Sequence, residues 1–325
     1  MSAVRIIASR LVKSIVTLLA IVVLNFFLIH AAPGDPALVM AGEAGAADPQ
    51  FIAQLRERFG LDEPLIKRLG IYVWNVVQLD LGYSFRQNAP VIDLIADRLP
   101  ATLLLTLTAF GVSLALGIAL GVAAAARVGR ATDSLITSVA LLFYATPLYW
   151  AALMAVLVFS VQLGWLPGFG YESVGSGYTG ITRALDILSH LILPALTLGL
   201  FFTAVYMRMT RASMLEVSTM DFVKTARAKG LPEGVIRRRH ILRNALLPVV
   251  TLAGLQAGQL VGGAVLTETV FAWPGIGRLM FESLAARDYN TLLGVFLVSG
   301  AMVILFNILT DIVYHLIDPR IGATP

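Results

Sequence analysis

Gln256, Gln259, Gly263 and Thr267 recur at steps of three and four within one apolar stretch. On a helix this spacing puts them on one face. Two amides, a hydroxyl and a bare glycine backbone can hydrogen-bond a polar solute moving along such a face. Amides turned toward lipid are costly, so the stripe is expected to face protein or water and to line a pathway. The competing reading is packing, because Gly254, Gly258 and Gly262 make successive small-x-x-x-small steps suited to close helix contact. Those glycines lie on a neighbouring stripe, and one helix can serve both purposes.

A second kind of chemistry is carried by residues 211–244, which with Arg208 hold nine basic residues against three acids. Asp221 is expected to cap a helix through Lys229, Gly230 suits the left-handed position after a helix end, and Pro232 opens a second short helix through Arg237, Arg238 and Arg239. A polybasic stretch can simply attract anionic lipid. Here Ala226, Ala228, Leu231, Val235 and Ile236 are interleaved with the charges, which favours a rigid knob that seats against another protein.

Catalytic chemistry finds no support. There is no cysteine, and His30, His190, His240 and His315 are too scattered for a metal site, so none is expected. No Gly-x-x-x-x-Gly-Lys-Ser/Thr loop occurs to cradle a nucleotide. No convergent acid, base and nucleophile cluster stands out, and the mid-span carboxylates and broken inverted repeats of a secondary transporter are missing. Glu268 reads as an interfacial charge at a helix end.

The elements that position these residues follow from composition. The 325 residues are 58% apolar and 14% charged, with mean hydropathy +0.81, against roughly 25% charged in soluble domains. Six candidate spans follow, at about residues 13–31, 100–126, 135–163, 191–209, 245–267 and 292–316, each containing an uncharged run of about 18 residues. The first is read as a retained helix and not a cleaved leader, since its apolar run is too long for one. Pro147, beside Thr146, is expected to kink the third, and Asn25 to hydrogen-bond across a helix interface. Fifteen of the 24 Lys and Arg fall on the side of the N-terminus, so both termini are expected in the cytoplasm. The pI of 9.5 then reflects membrane topology, and nucleic acid is not an expected partner.

Between the first two spans lies an external segment, residues 33–99. Asp48-Pro49 predicts a helix start, with Phe51, Ile52, Leu55 and Phe59 at helical spacing up to Gly60. A second helix is predicted after Glu63-Pro64, with Leu65, Leu69, Tyr72 and Val76 on one face. The pair is expected to form a small cap on the outer membrane face. A further external segment, 268–290, centres on Trp273-Pro274-Gly275-Ile276-Gly277, a turn signal with its tryptophan at the level of an interfacial aromatic belt.

Several of these stretches carry a family resemblance. They are 30–36 (His-Ala-Ala-Pro-Gly-Asp-Pro), 60–64 (Gly-Leu-Asp-Glu-Pro) with 80–84 (Asp-Leu-Gly-Tyr-Ser), 226–231 (Ala-Arg-Ala-Lys-Gly-Leu) through 243–248 (Arg-Asn-Ala-Leu-Leu-Pro), and 268–277 with Arg287-Asp288-Tyr289. The ending around Asp318-Pro319-Arg320 adds to them. In their order along six helices they resemble the B-type inner-membrane permease subunit of the dipeptide, oligopeptide and nickel ATP-binding-cassette (ABC) importers. The family's cytoplasmic signature, Glu-Ala-Ala followed by Gly, is represented in relaxed form by Lys224-Thr225-Ala226 before Gly230.

The resemblance implies an all-α, multi-pass protein of the cytoplasmic (inner) membrane with the type I importer permease fold. Residues 1–32 form the tail and first span, 33–99 the external cap, and 100–325 a core of five spans. It implies no enzyme activity and no cofactor in this chain, with ATP and magnesium bound by partners. Those partners are two ATP-binding subunits, a homologous second permease and an external solute-binding protein, all in membrane lipid. Ala226, Ala228, Lys229, Gly230, Leu231, Val235, Arg237 and Arg238 are the residues expected to couple to the ATPase. Asp35, Trp273, Pro274 and Gly275 are expected at an external gate or docking surface. Peptide is the expected cargo, with nickel chelates, glutathione or other small solutes as the alternative.

Overall fold

In a computed structural model the described residues are 3–31, 42, 48–58, 63–84 and 86–317. Asp35 and Gly60 lie outside them. The chain divides into two compact units, residues 1–101 with 275–304, and residues 102–274 with 305–325.

The first unit contains α1 (Ala3–Ala31), α2 (Pro49–Arg58), α3 (Leu65–Val77), a two-residue antiparallel ladder of β1 (Tyr83–Ser84) with β2 (Ala89–Pro90), and α11 (Ile276–Ala286). It also holds the start of α4 (Val91–Ala125) and most of α12 (Tyr289–Ile317). The predicted start of α2 is as expected: the Gln50 amide donates to Asp48 Oδ1 at 3.0 Å, satisfying a free amide of the first turn. α3 forms after Pro64 as predicted, but its face is only partly covered, since Leu65 stays exposed while Leu69, Tyr72 and Val76 are half-buried. α3 packs on α1, with the Phe26 and Tyr72 rings 5.9 Å apart. Burial pushes the Tyr72 hydroxyl above its ordinary range, partly offset by its hydrogen bond with Asn25. Asn25 Nδ2 also donates to the Leu293 carbonyl at 3.1 Å, the interhelical bond expected of it.

The second unit is built on α7 (Gly180–Ser218) and α10 (Arg243–Val270), which pack on one another. Around them stand the rest of α4, α5 (Ala131–Ala145), α6 (Leu148–Ala155, continuing as a π-helical turn Val156–Gln162), α8 (Asp221–Ala228) and α9 (Glu233–Val235). α4 approaches α7 through glycine. A Cβ at Gly117 would stand 2.5 Å from Tyr206 Cβ, and one at Gly121 would stand 2.6 Å from Thr210 Cβ. Only a missing side chain lets the two backbones come this close.

The third expected span is broken. α5 and α6 meet at 102° across Thr146-Pro147, far beyond an ordinary proline kink. Thr146 is extended, as a residue before proline prefers, and its amide and hydroxyl both turn back to the Leu142 carbonyl. Pro147 has no N–H to carry the helix on. Among the described residues three helices are long and apolar enough to cross a membrane, Val91–Ala125, Gly180–Ser218 and Tyr289–Ile308, or four if the bent pair counts as one. α1 carries a shorter apolar stretch, Val12–Leu28. α7 extends well beyond the expected limits at both ends.

Candidate functional site

The corner between α8 and α9 is fixed by local backbone chemistry. Gly230 has φ +74°, its amide donates to the Arg227 carbonyl at 2.9 Å, and the Leu231 amide donates to the Ala226 carbonyl at 3.4 Å. These are the two bonds of a Schellman helix end, with glycine in the left-handed place predicted for it. The predicted cap at the other end of α8 is displaced by one residue. Met220 holds the cap position and Asp221 begins the helix, where its carboxylate favours the dipole and accepts from Lys224 Nζ at 2.8 Å.

The corner has its own core. Met214 and Val217 of α7, Val223 and Ala226 of α8, Ile236, Ile241 and Ala245 form one buried cluster, with Val122 and Ala125 of α4 against it. Ile236 and Ile241 are five apart, and the backbone accommodates them with a π-helical turn over Ile236–Leu242, whose i→i+5 bonding puts such residues on one face. That turn runs directly into α10, so the second helix of the corner is continuous with α10 and not the separate short helix expected. Arg227 braces the corner, its Nε 2.7 Å from Glu233 Oε1 and its Nη1 3.4 Å from the Ser218 carbonyl.

The expected coupling residues therefore divide. Ala226 is buried and belongs to the corner's own core, whereas Ala228, Lys229, Gly230, Leu231, Val235, Arg237 and Arg238 are exposed. Met220 and Phe222, which sequence reasoning did not single out, are exposed as well. Exposed apolar side chains among cations have the composition of a protein-docking surface, an apolar centre with a polar rim.

Sequence reasoning also missed an ion pair above the corner. Arg211 Nε and Nη2 donate to Asp133 Oδ1 and Oδ2 at 2.8 and 2.7 Å, and the Gly129 amide adds a bond of 3.3 Å to the same carboxylate. The first turn of α5 is thereby tied to α7 by a bidentate fork. Two nearby charges 78 positions apart give no sequence signal of their pairing.

On α10, Gln256 is half-buried and Thr267 fully buried, while the side chains of Gln259 and Gly263 lie outside the described ones. Gly254 and Gly258 are buried, in keeping with the packing stripe. Glu268 is not the interfacial charge expected: it is fully buried, and its carboxylate accepts from Thr102 Oγ1 at 2.6 Å.

Trp273 departs from the aromatic belt expected of it. It is fully buried, with its ring 4.8 Å from that of Tyr171, and the Gly170 amide donates to the Phe271 carbonyl beside it. The Trp273 amide turns back to the Glu268 carbonyl, with Ala272 held at φ +52°. Pro274 is half-buried and Gly275 buried. A buried indole offers little surface to a partner and instead wedges the turn.

Residues 117–323 match the family model described as the binding-protein-dependent transport system inner membrane component, and residues 3–106 match its N-terminal companion. The chain is 40% identical to the dipeptide transport system permease protein DppB of Alkalihalophilus pseudofirmus over 96% of its length and 97% of the relative's. Identity to DppB of Escherichia coli K12 is again 40%, over 96% and 97%. Among solved structures, the MetNI methionine ABC transporter in inward-facing conformations matches 69% of this chain and 96% of its own, with a TM-score of 0.55 at 18% identity. That likeness shows the fold, and the family models and the 40% identical relatives show the family: the chain belongs to the inner-membrane permease components of binding-protein-dependent ABC transport systems.

Proposed function

We propose that the chain is one permease subunit of an ATP-driven importer that passes dipeptides or oligopeptides inward across the cytoplasmic membrane. A second permease, two ATP-binding subunits and an external solute-binding protein complete the assembly. In this reading six helical segments cross the bilayer with both termini in the cytoplasm, and the bent α5–α6 pair supplies one of them. Residues 33–99 form the external cap. ATP and magnesium sit on the partner subunits, and this chain transmits their motion.

The observation that carries the proposal is the capped corner at Gly230. It has an independent core, two braced ends and an exposed apolar and cationic surface, and its second arm is continuous with α10. A displacement applied to Leu231, Val235 or Phe222 therefore moves α10 as a lever, where a flexible loop would absorb it. Gln256 and Gln259 with Gly263 and Thr267 lie on that helix and are the proposed pathway residues. Asp35, Pro274 and Gly275 are proposed near the external opening, with Trp273 as the buried wedge that holds the turn. The 40% identity to dipeptide permeases over nearly the full length supports peptide as cargo.

The test is reconstitution in lipid with the partner subunits. ATP hydrolysis is measured with and without binding protein, and with a dipeptide, a nickel chelate and glutathione in turn. Stimulation and uptake with the dipeptide are expected. Solute movement without any ATPase would overturn the proposal.

A further inference from the structure

The outer face of the π-helical turn carries a cluster of arginines. Ile236 and Ile241, five apart, turn inward to the corner's core. Arg238 and Arg243, also five apart and offset by two residues, share the opposite face, with Arg239 beside Arg238. All three are exposed. No acid occurs between Glu233 and Glu268, and Glu233 is engaged by Arg227.

Position along the helix decides what meets this face. The apolar run of α10 begins at Ala245. At 1.5 Å per α-helical residue, Arg243 lies about 3 Å along the axis from it, and Arg239, within the more tightly rising π-helical turn, at most about 9 Å. The headgroup zone is about 5–8 Å thick on each side of a hydrocarbon core of about 30 Å. Long arginine side chains span the remaining distance.

We propose that Arg238, Arg239 and Arg243 form a binding face for the phosphate groups of anionic phospholipid in the leaflet at the corner. Guanidinium forks match phosphate oxygens in two-point contacts, which suits three arginines and no lysine on this face. A protein interface needs an apolar centre, and the exposed apolar residues of this arm, Leu231 and Val235, lie farther along the chain from the apolar run of α10. Arg238 accordingly leaves the ATPase-docking set. Bound headgroups would hold the base of the α10 lever at a fixed depth, giving the coupling movement a fulcrum. The inference requires only that α10 be a membrane helix, so it stands or falls independently of the peptide reading.

The test uses the full chain alone in bilayers of phosphatidylcholine containing spin-labelled phosphatidylglycerol or spin-labelled phosphatidylcholine, with the motionally restricted fraction read by electron paramagnetic resonance. Wild type is expected to prefer phosphatidylglycerol about tenfold at low salt, with the preference shrinking as salt is raised. The triple variant Arg238→Gln/Arg239→Gln/Arg243→Gln should fall to near unity. A control with Lys224→Gln and Lys229→Gln, charges of α8 and its C-terminal cap, should keep the wild-type ratio. If the triple variant does not fold, each single glutamine variant should lower the ratio two- to threefold. An unchanged ratio in the folded triple variant, or in all three singles, would overturn the proposal. If the ratio is unchanged while capture of the ATPase partner is lost, the face docks protein and the lipid assignment is wrong.

Discussion

Ser84 Oγ donates to Asp288 Oδ2 at 2.6 Å across 204 positions of sequence, and both residues are buried. The same carboxylate accepts from Thr291 Oγ1 at 2.6 Å and, through its other oxygen, from the Thr291 amide at 3.1 Å. Asn290 Nδ2 adds a bond of 3.0 Å to the Tyr83 carbonyl. The short ladder of β1 and β2 is thus bolted to the start of α12, within the first unit.

Replacing Ser84 with alanine should cost about 1–2 kcal/mol, because the carboxylate loses a buried partner and keeps its burial. Thermal unfolding of the purified chain in detergent measures it. Asp288→Ala should cost more, since the hydroxyls of Ser84 and Thr291 both lose their acceptor. A Ser84→Ala protein as stable as wild type would show that the bolt contributes nothing.

Gly230 separates strain from disruption. A Cβ there meets nothing within 4 Å, so Gly230→Ala should cost only the left-handed backbone penalty, about 1–2 kcal/mol, and keep coupling. Gly230→Pro cannot reach φ +74° and loses the amide bonded to Arg227. In the reconstituted importer its basal ATP hydrolysis should persist while stimulation by loaded binding protein is abolished. Full stimulation in the proline variant would rule the corner out as the lever.

The helix crossing of α4 and α7 predicts a contrast between glycines of one helix. Gly121→Leu drives a side chain into Thr210 and the Met207 carbonyl and should abolish a monodisperse protein. Gly111 faces open space, so Gly111→Ala should be neutral or stabilising by up to about 1 kcal/mol through helix propensity. Size-exclusion profiles and melting temperatures of the two variants check both halves.

The Asp133–Arg211 fork predicts strong non-additivity. Asp133→Ala and Arg211→Ala should each lower ATPase-coupled uptake, and the double variant should be little worse than the more damaging single. A double-mutant cycle on uptake and on melting temperature reads the coupling. Simple additivity would mean that the two side chains act separately.

The spanning character of the chain was legible in its sequence because hydropathy is a property of each segment alone. So were the Asp48 cap and the Gly230 corner, whose hydrogen bonds close within five or six residues and are set by the conformational freedom of one glycine or the acceptor of one side chain. The break at Thr146-Pro147 was legible in place but not in size, since its 102° turn depends on what α6 packs against. Tertiary structure alone decided which apolar residues of the corner face inward. Ala226 and Ala228 are the same residue type two positions apart, yet only Ala226 meets the side chains of α4 and α7. It likewise decided the partners of Asp133, Glu268 and Asp288 and the burial of Trp273. A charge or a ring finds its partner only when distant segments are brought together, and nothing in the local sequence encodes that meeting.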